Sequence, residues 1–244
     1  MNTENYLFMV PLISIFSAAI YTKYWENTYK TLSNSQIDFE IVYAGHVVPQ
    51  ISLPPNFKFI RTDANPARAA HMAFSQTIGK YVIHMVDDLV PQEDFLQKML
   101  QSMLESDEQH TIITGNYKKK DTNPLMPITP PGFGIMPITM MITKTLFINL
   151  GGFDRRFINT GWEADIALRL FYKNGTVIRS SAWLYEHLDN KRNRLSQKSS
   201  KDFDLCQTLW PKCIVKEYCD LNEVKNGRTD RIMPYTPERK TTGF

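Results

Sequence analysis

"YVIHMVDDLV" (residues 81–90) decides the fold of this 244-residue chain, because a mostly apolar run ends there in two adjacent carboxylates. The run is typical of a buried strand, and Asp87 and Asp88 follow at its end. Neighbouring carboxylates repel each other, and burying them costs free energy unless a positive partner compensates. The partner is either a basic side chain of the protein or a cation that arrives with a ligand.

Strands and helices alternate through the first half of the chain. Hydrophobic patterns predict strands at 11–16, 39–45, 57–62 and 80–86, and helices at 22–32, 64–79 and 91–106. The boundaries of helix 64–79 are well marked, because Asn65 can cap it, Pro66 suits its first position and Gly79 follows its end. Such alternation predicts an α/β fold with a parallel sheet covered on both faces.

The second half follows a different pattern. Strands are predicted at 110–118 and 137–143, on either side of the proline-rich connection "NPLMPITPPGFGIMP" at 123–137. A helix at 161–175 and a last strand at 176–188 follow. The segment 190–201 contains five basic residues and no acidic ones, which predicts a loop.

Composition narrows the class of protein. The chain is 43% hydrophobic, which suits one large globular domain, and its net charge of +3 gives no overall field for nucleic acid. Cys206, Cys213 and Cys219 are odd in number and match no zinc spacing, so we expect free thiols in a reducing compartment.

One uncharged stretch needs a separate interpretation. Residues 6–21 carry no charge, but they are fewer than the ~20 residues of a membrane span and include Pro11. No Lys or Arg precedes them, so the basic start of a signal peptide is missing. We therefore predict a buried strand there, no membrane span, and a cytoplasmic protein.

The aspartate pair admits two interpretations. Ligands of open parallel sheets bind outside the carboxyl ends of the strands, which is where Asp87 and Asp88 are predicted to lie. The pair is either a structural one held by Arg or Lys, or a set of oxygen ligands for Mg²⁺ or Mn²⁺ bridging a substrate diphosphate.

Three segments, in order, resemble the family 2 glycosyltransferases of the GT-A fold. Residues 11–45 resemble their opening strand, helix and second strand, and residues 65–99 resemble their Arg-bearing helix, next strand and aspartate motif. "NLGGFDRRFINTGWEADIALRL" (149–170) resembles their Gly-Gly-Phe-Asp turn and acidic helix start. The resemblance covers about residues 8–190 and implies a Rossmann-like, mixed but mostly parallel central sheet flanked by helices.

The same resemblance sets the expected domain organisation. A single GT-A domain spans 1–190, with a nucleotide-binding half at 1–108 and an acceptor and catalytic half at 109–190. The basic loop and C-terminal extension at 191–244 are expected to pack on the same domain.

The resemblance also implies an activity: metal-dependent transfer of a sugar from a nucleotide-diphosphate sugar to an acceptor hydroxyl, with inversion at the anomeric carbon. The cofactor would be Mn²⁺ or Mg²⁺, with Asp88 and His187 as its ligands. On this hypothesis the cation supplies the missing positive charge of the aspartate pair, and Asp87 lies nearer the ribose or a basic side chain.

The donor side departs from the family pattern in one respect. Tyr43 and Ala44 stand where the family places aspartates that hold uracil, so a UDP-sugar is favoured while GDP- and dTDP-sugars stay open. The predicted nucleotide-sugar-binding residues are Ser17, Ala18, Asp63, Arg68, Asp87 and Trp162.

The catalytic candidates are Glu163 and Asp165. With the helix registered on Arg169, Glu163 falls where the family places its catalytic carboxylate, and Asp165 falls on the second acidic position. Residues two apart on a helix point to different sides, so the two are not expected to share one role. The structural alternative is that both are surface acids compensating the helix dipole.

Other functions remain open at this stage. The altered second strand is compatible with a catalytically lapsed nucleotide-sugar-binding protein. The basic segment 190–201 either closes over the diphosphate, is simply solvated, or contacts DNA carrying hydroxylated bases. The expected acceptors are thus a glycan, a protein-linked glycan or a modified base, with nucleic acid not favoured. Phe133 and Trp162 are candidate stacking surfaces for a sugar ring.

Overall fold

The computed structural model of the chain describes residues 10–118, 128–129, 136–137, 139–186, 199–210 and 214–215. The strands are β1 (Ile13–Ala18), β2 (Phe39–Gly45), β3 (Phe57–Arg61), β4 (Tyr81–His84), β5 (Leu89–Pro91), β6 (Thr111–Lys118), β7 (Ile128–Thr129), β8 (Met140–Thr143), β9 (Thr176–Glu186) and β10 (Ile214–Val215). The helices are α1 (Trp25–Ser33), α2 (Pro66–Ser75), α3 (Phe95–Leu104), α4 (Lys144–Asn149), α5 (Trp162–Tyr172) and α6 (Ser199–Leu209), and a short 3-10 helix (Thr22–Tyr24) precedes α1.

Eight strands form one mixed sheet in the order β3-β2-β1-β4-β8-β6-β9-β5. The four strands from β3 to β4 are parallel to each other, and β6 is parallel to β9. β8 runs antiparallel between β4 and β6, and β5 runs antiparallel to β9 at the edge. The predicted mixed α/β sheet is confirmed.

The helices cover both faces of this sheet. One core contains small α2 side chains (Ala67, Ala70 and Ala73), which let that helix lie close to the strands, together with α4, α5 and α6. The other core contains apolar side chains of α1 and α3, such as Trp25 and Phe95. The strands between them, β1 and β2, are almost entirely buried, as expected for parallel strands covered on both faces.

A buried polar pair joins the first two strands. Ser14 donates a hydrogen bond to Glu40 over 2.7 Å, and Glu40 also pairs with Lys58 at 2.8 Å. Gly79 approaches this pair so closely that a Cβ there would lie 2.8 Å from the backbone nitrogen of Ser14. Glycine is therefore required at this point, where the chain enters β4.

The predicted start of α2 is confirmed, whereas the helix ends at Ser75, before the predicted end at Gly79. Asn65 caps α2, since its side chain accepts a hydrogen bond from the Arg68 backbone nitrogen at 3.0 Å. The helix predicted at 91–106 begins only at Phe95, because Leu89–Pro91 pairs with β9 as a short strand. Cys206 is buried and forms no disulfide within the described ranges, while Cys213 and Cys219 lie outside them.

Part of the segment predicted as a basic loop is helical instead. Residues 199–201 form the first turn of α6, because that helix carries apolar side chains, Cys206 and Leu209, that pack into the core. Residues 190–198 lie outside the described part, as does most of the proline-rich connection, including Phe133. None of the helices in the described ranges is long and apolar enough to cross a membrane.

Candidate active site

The carboxyl ends of the parallel strands form one edge of the sheet, and most of the predicted site residues lie along it. β1 and β4 are neighbours in register, with Phe16 beside His84. Ala18 at the end of β1 is half-buried. The Ser17 hydroxyl is buried and donates to the Ala18 carbonyl oxygen at 2.8 Å, so it is engaged within its own strand.

Asp87 is buried in the turn after β4 and is held by nitrogen donors. Its Oδ2 accepts hydrogen bonds from the backbone nitrogens of Ile20 (2.7 Å) and Tyr21 (2.6 Å) and from the Trp25 indole nitrogen (3.0 Å). Burial, with a smaller contribution from the charge of Asp88, raises the pKa of Asp87 to about 6 against the opposing effect of these donors. Backbone and indole N–H groups therefore hold this carboxylate, and its predicted place near the ribose or a basic side chain stays a prediction.

Asp88 is the half-buried member of the pair. Within the described ranges, no three His, Cys, Asp or Glu side chains come together as a metal-binding group. A nucleotide-bound Mg²⁺ commonly takes only one or two protein carboxylates and completes its shell with phosphate oxygens and water. One carboxylate at the edge of the sheet fits such an ion. His187, the other predicted ligand, lies outside the described residues.

Glu163 lies in the first turn of α5, directly after a tight turn. Gly161, the residue before the helix, has a φ of 89°, a conformation that favours glycine. The Glu163 side chain is half-buried. Burial raises the pKa of its carboxyl to about 8, and the negative charge of Asp202 contributes to the rise. A carboxylate with such a pKa is a stronger base than an ordinary one, but it is mainly deprotonated only above about pH 8.

Asp165 has a different environment, although it is only two residues away. It is fully buried, and its Oδ2 pairs with the Arg169 guanidinium at 2.8–2.9 Å. Its Oδ1 accepts from the Trp210 indole nitrogen at 2.8 Å. Arg169 also donates to the carbonyl oxygens of Leu150 and Gly152, so the ion pair ties α5 to the Gly-Gly turn before it. Both oxygens of Asp165 are thus engaged in structural contacts.

An aromatic cluster joins the aspartate turn to the acidic helix. His84, at the end of β4, lies with its ring centroid 5.0 Å from that of Phe153 and 6.3 Å from that of Trp162. Burial lowers the pKa of His84 to about 4, so the ring is neutral at pH 7. Trp162 is only 4% exposed, which leaves almost no ring surface for a sugar. It packs as a core residue in this structure, and its predicted role as a stacking surface stays a prediction.

Asp63 and Arg68 are both exposed. Asp63 follows β3, and Arg68 is in the first turn of α2. The backbone nitrogen of Ala67 donates to the Ile158 carbonyl oxygen at 3.4 Å, which brings the start of α2 next to the segment that leads into α5.

Sequence interpretation missed one buried carboxylate. Asp202, in α6, accepts hydrogen bonds from three consecutive backbone nitrogens at 158–160, over 2.7–3.0 Å. Its partners are main-chain groups more than 40 residues away, so no side-chain pattern in the sequence indicates them. An acidic residue in the first turn of an apolar-faced helix was the only available signal.

A large cavity, of about 790 Å³, lies at the opposite edge of the sheet. Its lining includes Lys80 before β4, His110 before β6 and Thr143 at the end of β8, and it includes none of the predicted site residues. Lysines of this lining are engaged within the fold: Lys80 pairs with Glu108, and Lys173 donates to the Asn149 carbonyl oxygen. Asp87 and Asp88 lie after β4 at the carboxyl edge instead, which is where ligands of parallel sheets usually bind.

The chain is similar in structure to S. aureus TarS. The crystal structure of S. aureus TarS 1-349 gives a TM-score of 0.57 at 12% identity, covering 81% of this chain and 63% of that chain. The structure of the same TarS piece in complex with UDP gives a TM-score of 0.55 at 12% identity, with coverages of 80% and 64%. This chain thus spans less than two thirds of the TarS 1-349 chains. At such identity the likeness shows the fold alone.

Curated proteins provide no match to this chain. The model of the family described as Glycosyl transferase family 2 matches residues 45–185, which is more than half of the chain. The matched region runs from the end of β2 almost to the end of β9 and includes both the Asp87–Asp88 turn and the acidic start of α5. The chain therefore belongs to glycosyl transferase family 2, with the mixed α/β sheet of the GT-A fold.

Proposed function

We propose that this protein transfers a sugar from a nucleotide-diphosphate sugar to an acceptor hydroxyl, with Glu163 as the general base. The observation that carries the proposal is the contrast at the start of α5. Asp165 is saturated by Arg169 and Trp210, while the half-buried Glu163 has a pKa raised by burial to about 8. Membership of the glycosyltransferase family supports this reaction class.

On the donor side, Ala18, Asp63, Arg68 and Asp88 would surround the nucleotide diphosphate. They lie at or beyond the carboxyl ends of β1, β3 and β4 and at the start of α2. Arg68 would contact the phosphates or the base. A UDP-sugar is the donor we favour, and the UDP complex of the structurally similar TarS supports this choice.

Asp88, with His187, would hold Mn²⁺ or Mg²⁺. When bound, the cation would neutralise the diphosphate and stabilise charge on the departing nucleoside diphosphate. Asp87 is proposed to act indirectly, by fixing the turn that presents Asp88, because its Oδ2 is held by the backbone of residues 20–21 and by Trp25.

In the transfer step, the acceptor oxygen attacks the anomeric carbon while its proton passes to the Glu163 carboxylate. The bond between that carbon and the diphosphate oxygen breaks, and its electron pair leaves with the nucleoside diphosphate. Such a single displacement inverts the configuration at the anomeric carbon. A carboxylate with a pKa raised by its surroundings is a stronger base than an ordinary one and suits this role.

We also propose that the chain works as a single GT-A domain over 1–190, with the nucleotide half at 1–108 and the acceptor half at 109–190. The segment 191–244 would pack on the same domain. The buried contacts of Cys206, Leu209 and Trp210 with the core support this arrangement.

A thermal-shift titration with UDP, GDP and dTDP, each with and without Mn²⁺, tests the donor side. A ligand that binds only the folded state stabilises it by about 2.7 kcal/mol at a hundred times its dissociation constant. We expect a shift with UDP that requires Mn²⁺ and disappears in Asp88→Ala. Glu105→Gln, an exposed charge removal at the end of α3, is the matched control. An undiminished metal-dependent shift in Asp88→Ala would place the site elsewhere.

Transfer itself is tested with the labelled UDP-sugar and a panel of glycan and hydroxylated-base acceptors. Nucleotide binding without transfer to any acceptor, together with indifference to Glu163→Gln, would support a lapsed nucleotide-sugar-binding protein instead.

A further inference from the structure

The helix α6 carries a buried carboxylate that is held by main-chain groups. Asp202 is 1% exposed. Its Oδ1 accepts from the backbone nitrogen of Ile158 at 2.8 Å, and its Oδ2 accepts from those of Asn159 at 2.7 Å and Thr160 at 3.0 Å. Hydrogen bonds to an ionised acceptor are stronger than neutral ones, so three of them hold a short segment firmly.

The segment held in this way leads directly into the acidic helix. Gly161 follows it with a φ of 89°, and a Cβ at this glycine would lie 3.0 Å from the Phe157 ring. The next two residues are Trp162 and Glu163, in the first turn of α5. The direction in which the Glu163 side chain projects from the backbone therefore depends on how residues 158–161 are held.

The same helix contacts the other side of this first turn. Trp210, directly after α6, donates its indole N–H to Asp165 Oδ1 at 2.8 Å. Cys206 and Leu209 pack into the core between these two polar contacts. Helix α6 is therefore attached to the chain both before and after Glu163, which restricts the orientation of the start of α5.

We propose that Asp202 is a positioning residue for Glu163: by binding the three amides at 158–160, it sets the orientation and the charge environment of the proposed base. The inference rests on the proposed function of Glu163. It assigns a role to a helix that lies outside the family match at 45–185.

Electrostatics supports the same relation. Among the charged groups of the described ranges, Asp202 is the one whose charge raises the pKa of Glu163, after the larger effect of burial. The nearest charges on α5 itself, Asp165 and Arg169, neutralise each other in their ion pair. Removing the charge of Asp202 should therefore lower the pKa of Glu163.

The test compares Asp202→Asn with Asp204→Asn, an equal loss of charge on the exposed side of the same helix. The pKa of Glu163 is followed by carbon NMR of its carboxyl, and the backbone of 158–160 by amide hydrogen exchange. In Asp202→Asn we expect a lower pKa of Glu163 and faster exchange at 158–160, with neither change in Asp204→Asn.

Kinetics gives a second readout that a purely structural role would not produce. Mispositioning of a catalytic group by about 1 Å can reduce turnover up to 100-fold. In Asp202→Asn we expect kcat to fall about 10- to 100-fold with little change in the donor KM, and the acidic limb of the pH profile to move to lower pH. Asp202→Glu, which keeps the charge and an acceptor, should restore part of kcat.

Two results would overturn the inference. One is a folded Asp202→Asn protein with an unchanged pKa of Glu163 and unchanged exchange at 158–160. The other applies if that variant does not fold, and it is measured on the wild-type protein. Amides at 158–160 that exchange at the rate of an unprotected loop would contradict the three hydrogen bonds.

The outcomes also separate this inference from the proposed function. A wild-type protein that transfers no sugar, but whose Glu163 pKa falls in Asp202→Asn, would refute the function and leave the positioning of Glu163 standing. A wild-type transferase in which Asp202→Asn retains full kcat and an unchanged pKa of Glu163 would refute the positioning alone.

Discussion

The turn after β4 and the start of α5 each present two acidic residues, and each divides them in the same way. Asp87 and Asp165 are buried and held by hydrogen-bond donors. Asp88 and Glu163 are half-buried at the carboxyl edge of the sheet. In both regions the buried carboxylate is engaged in contacts within the fold, so an acidic motif can contain a carboxylate that has a structural role.

The two regions differ in what compensates the buried charge. Asp87 accepts hydrogen bonds from three neutral N–H groups, and burial raises its pKa to about 6. Asp165 pairs with a guanidinium that is itself only about one tenth exposed. Neutral donors tolerate either protonation state of their acceptor, whereas a buried cation requires its anion. The two aspartates should therefore respond very differently to the same substitution.

The largest effect is expected for Asp165→Asn. The change leaves Arg169 buried without its anion, and breaking such a pair typically costs about 3–5 kcal/mol. Urea unfolding followed by circular dichroism measures the loss in the free energy of unfolding. Lys30→Ala, which breaks the exposed Lys30–Glu26 pair on α1, should leave stability nearly unchanged. A loss below about 1 kcal/mol in Asp165→Asn would show that the ion pair is not structural.

Glu163→Gln should have the next largest effect, and on activity instead of stability. Loss of a general base typically costs ~10² in rate or more, equivalent to about 2.7 kcal/mol. Initial rates and a parallel nucleotide titration should show lost transfer with donor binding retained. Full activity would move the role of base to Asp165 and remove the contrast between the two residues.

The pH dependence of transfer tests the same base, and the expected change in rate is smaller than that in Glu163→Gln. A base must be deprotonated, and the pKa of Glu163 is raised to about 8, so kcat/KM should rise with pH up to about 8 and then level off. One pH unit below that value, the rate should be about tenfold lower. A profile that is flat from pH 6 to 9 would contradict the raised pKa.

The smallest effect is expected for Asp87→Asn. The amide oxygen can still accept from the three N–H donors, so the cost above pH 7 should stay within about 1 kcal/mol. Because folding raises the pKa of Asp87 above its unfolded value, its contribution to stability is present at about pH 4 and is lost as pH rises through 6. Unfolding titrations should therefore show the variant improving relative to wild type as pH rises from 4 to 7. A loss as large as that of Asp165→Asn would mean that Asp87 depends on an unseen cation.

Local sequence determined much of the architecture. Apolar runs and capping residues act over a few positions, so β2 was predicted at 39–45 and the cap of α2 at Asn65. The three-residue strand Leu89–Pro91 was missed, because its pairing with β9, nearly 100 residues later, overrides the helical pattern around it. The start of α6 was missed for a related reason, because its apolar face is recognisable only where the fold packs it against the core.

For the candidate site, the sequence by itself determined which acidic residues stand at the sheet edge and at the helix start. The resemblance to the family, with the helix registered on Arg169, placed Glu163 ahead of Asp165. Only the tertiary structure decided their environments. The donors to Asp87 lie 62–67 residues away, and the indole that binds Asp165 lies 45 residues away. Burial and hydrogen bonding set the pKa of a carboxyl, and both depend on what the fold places beside it.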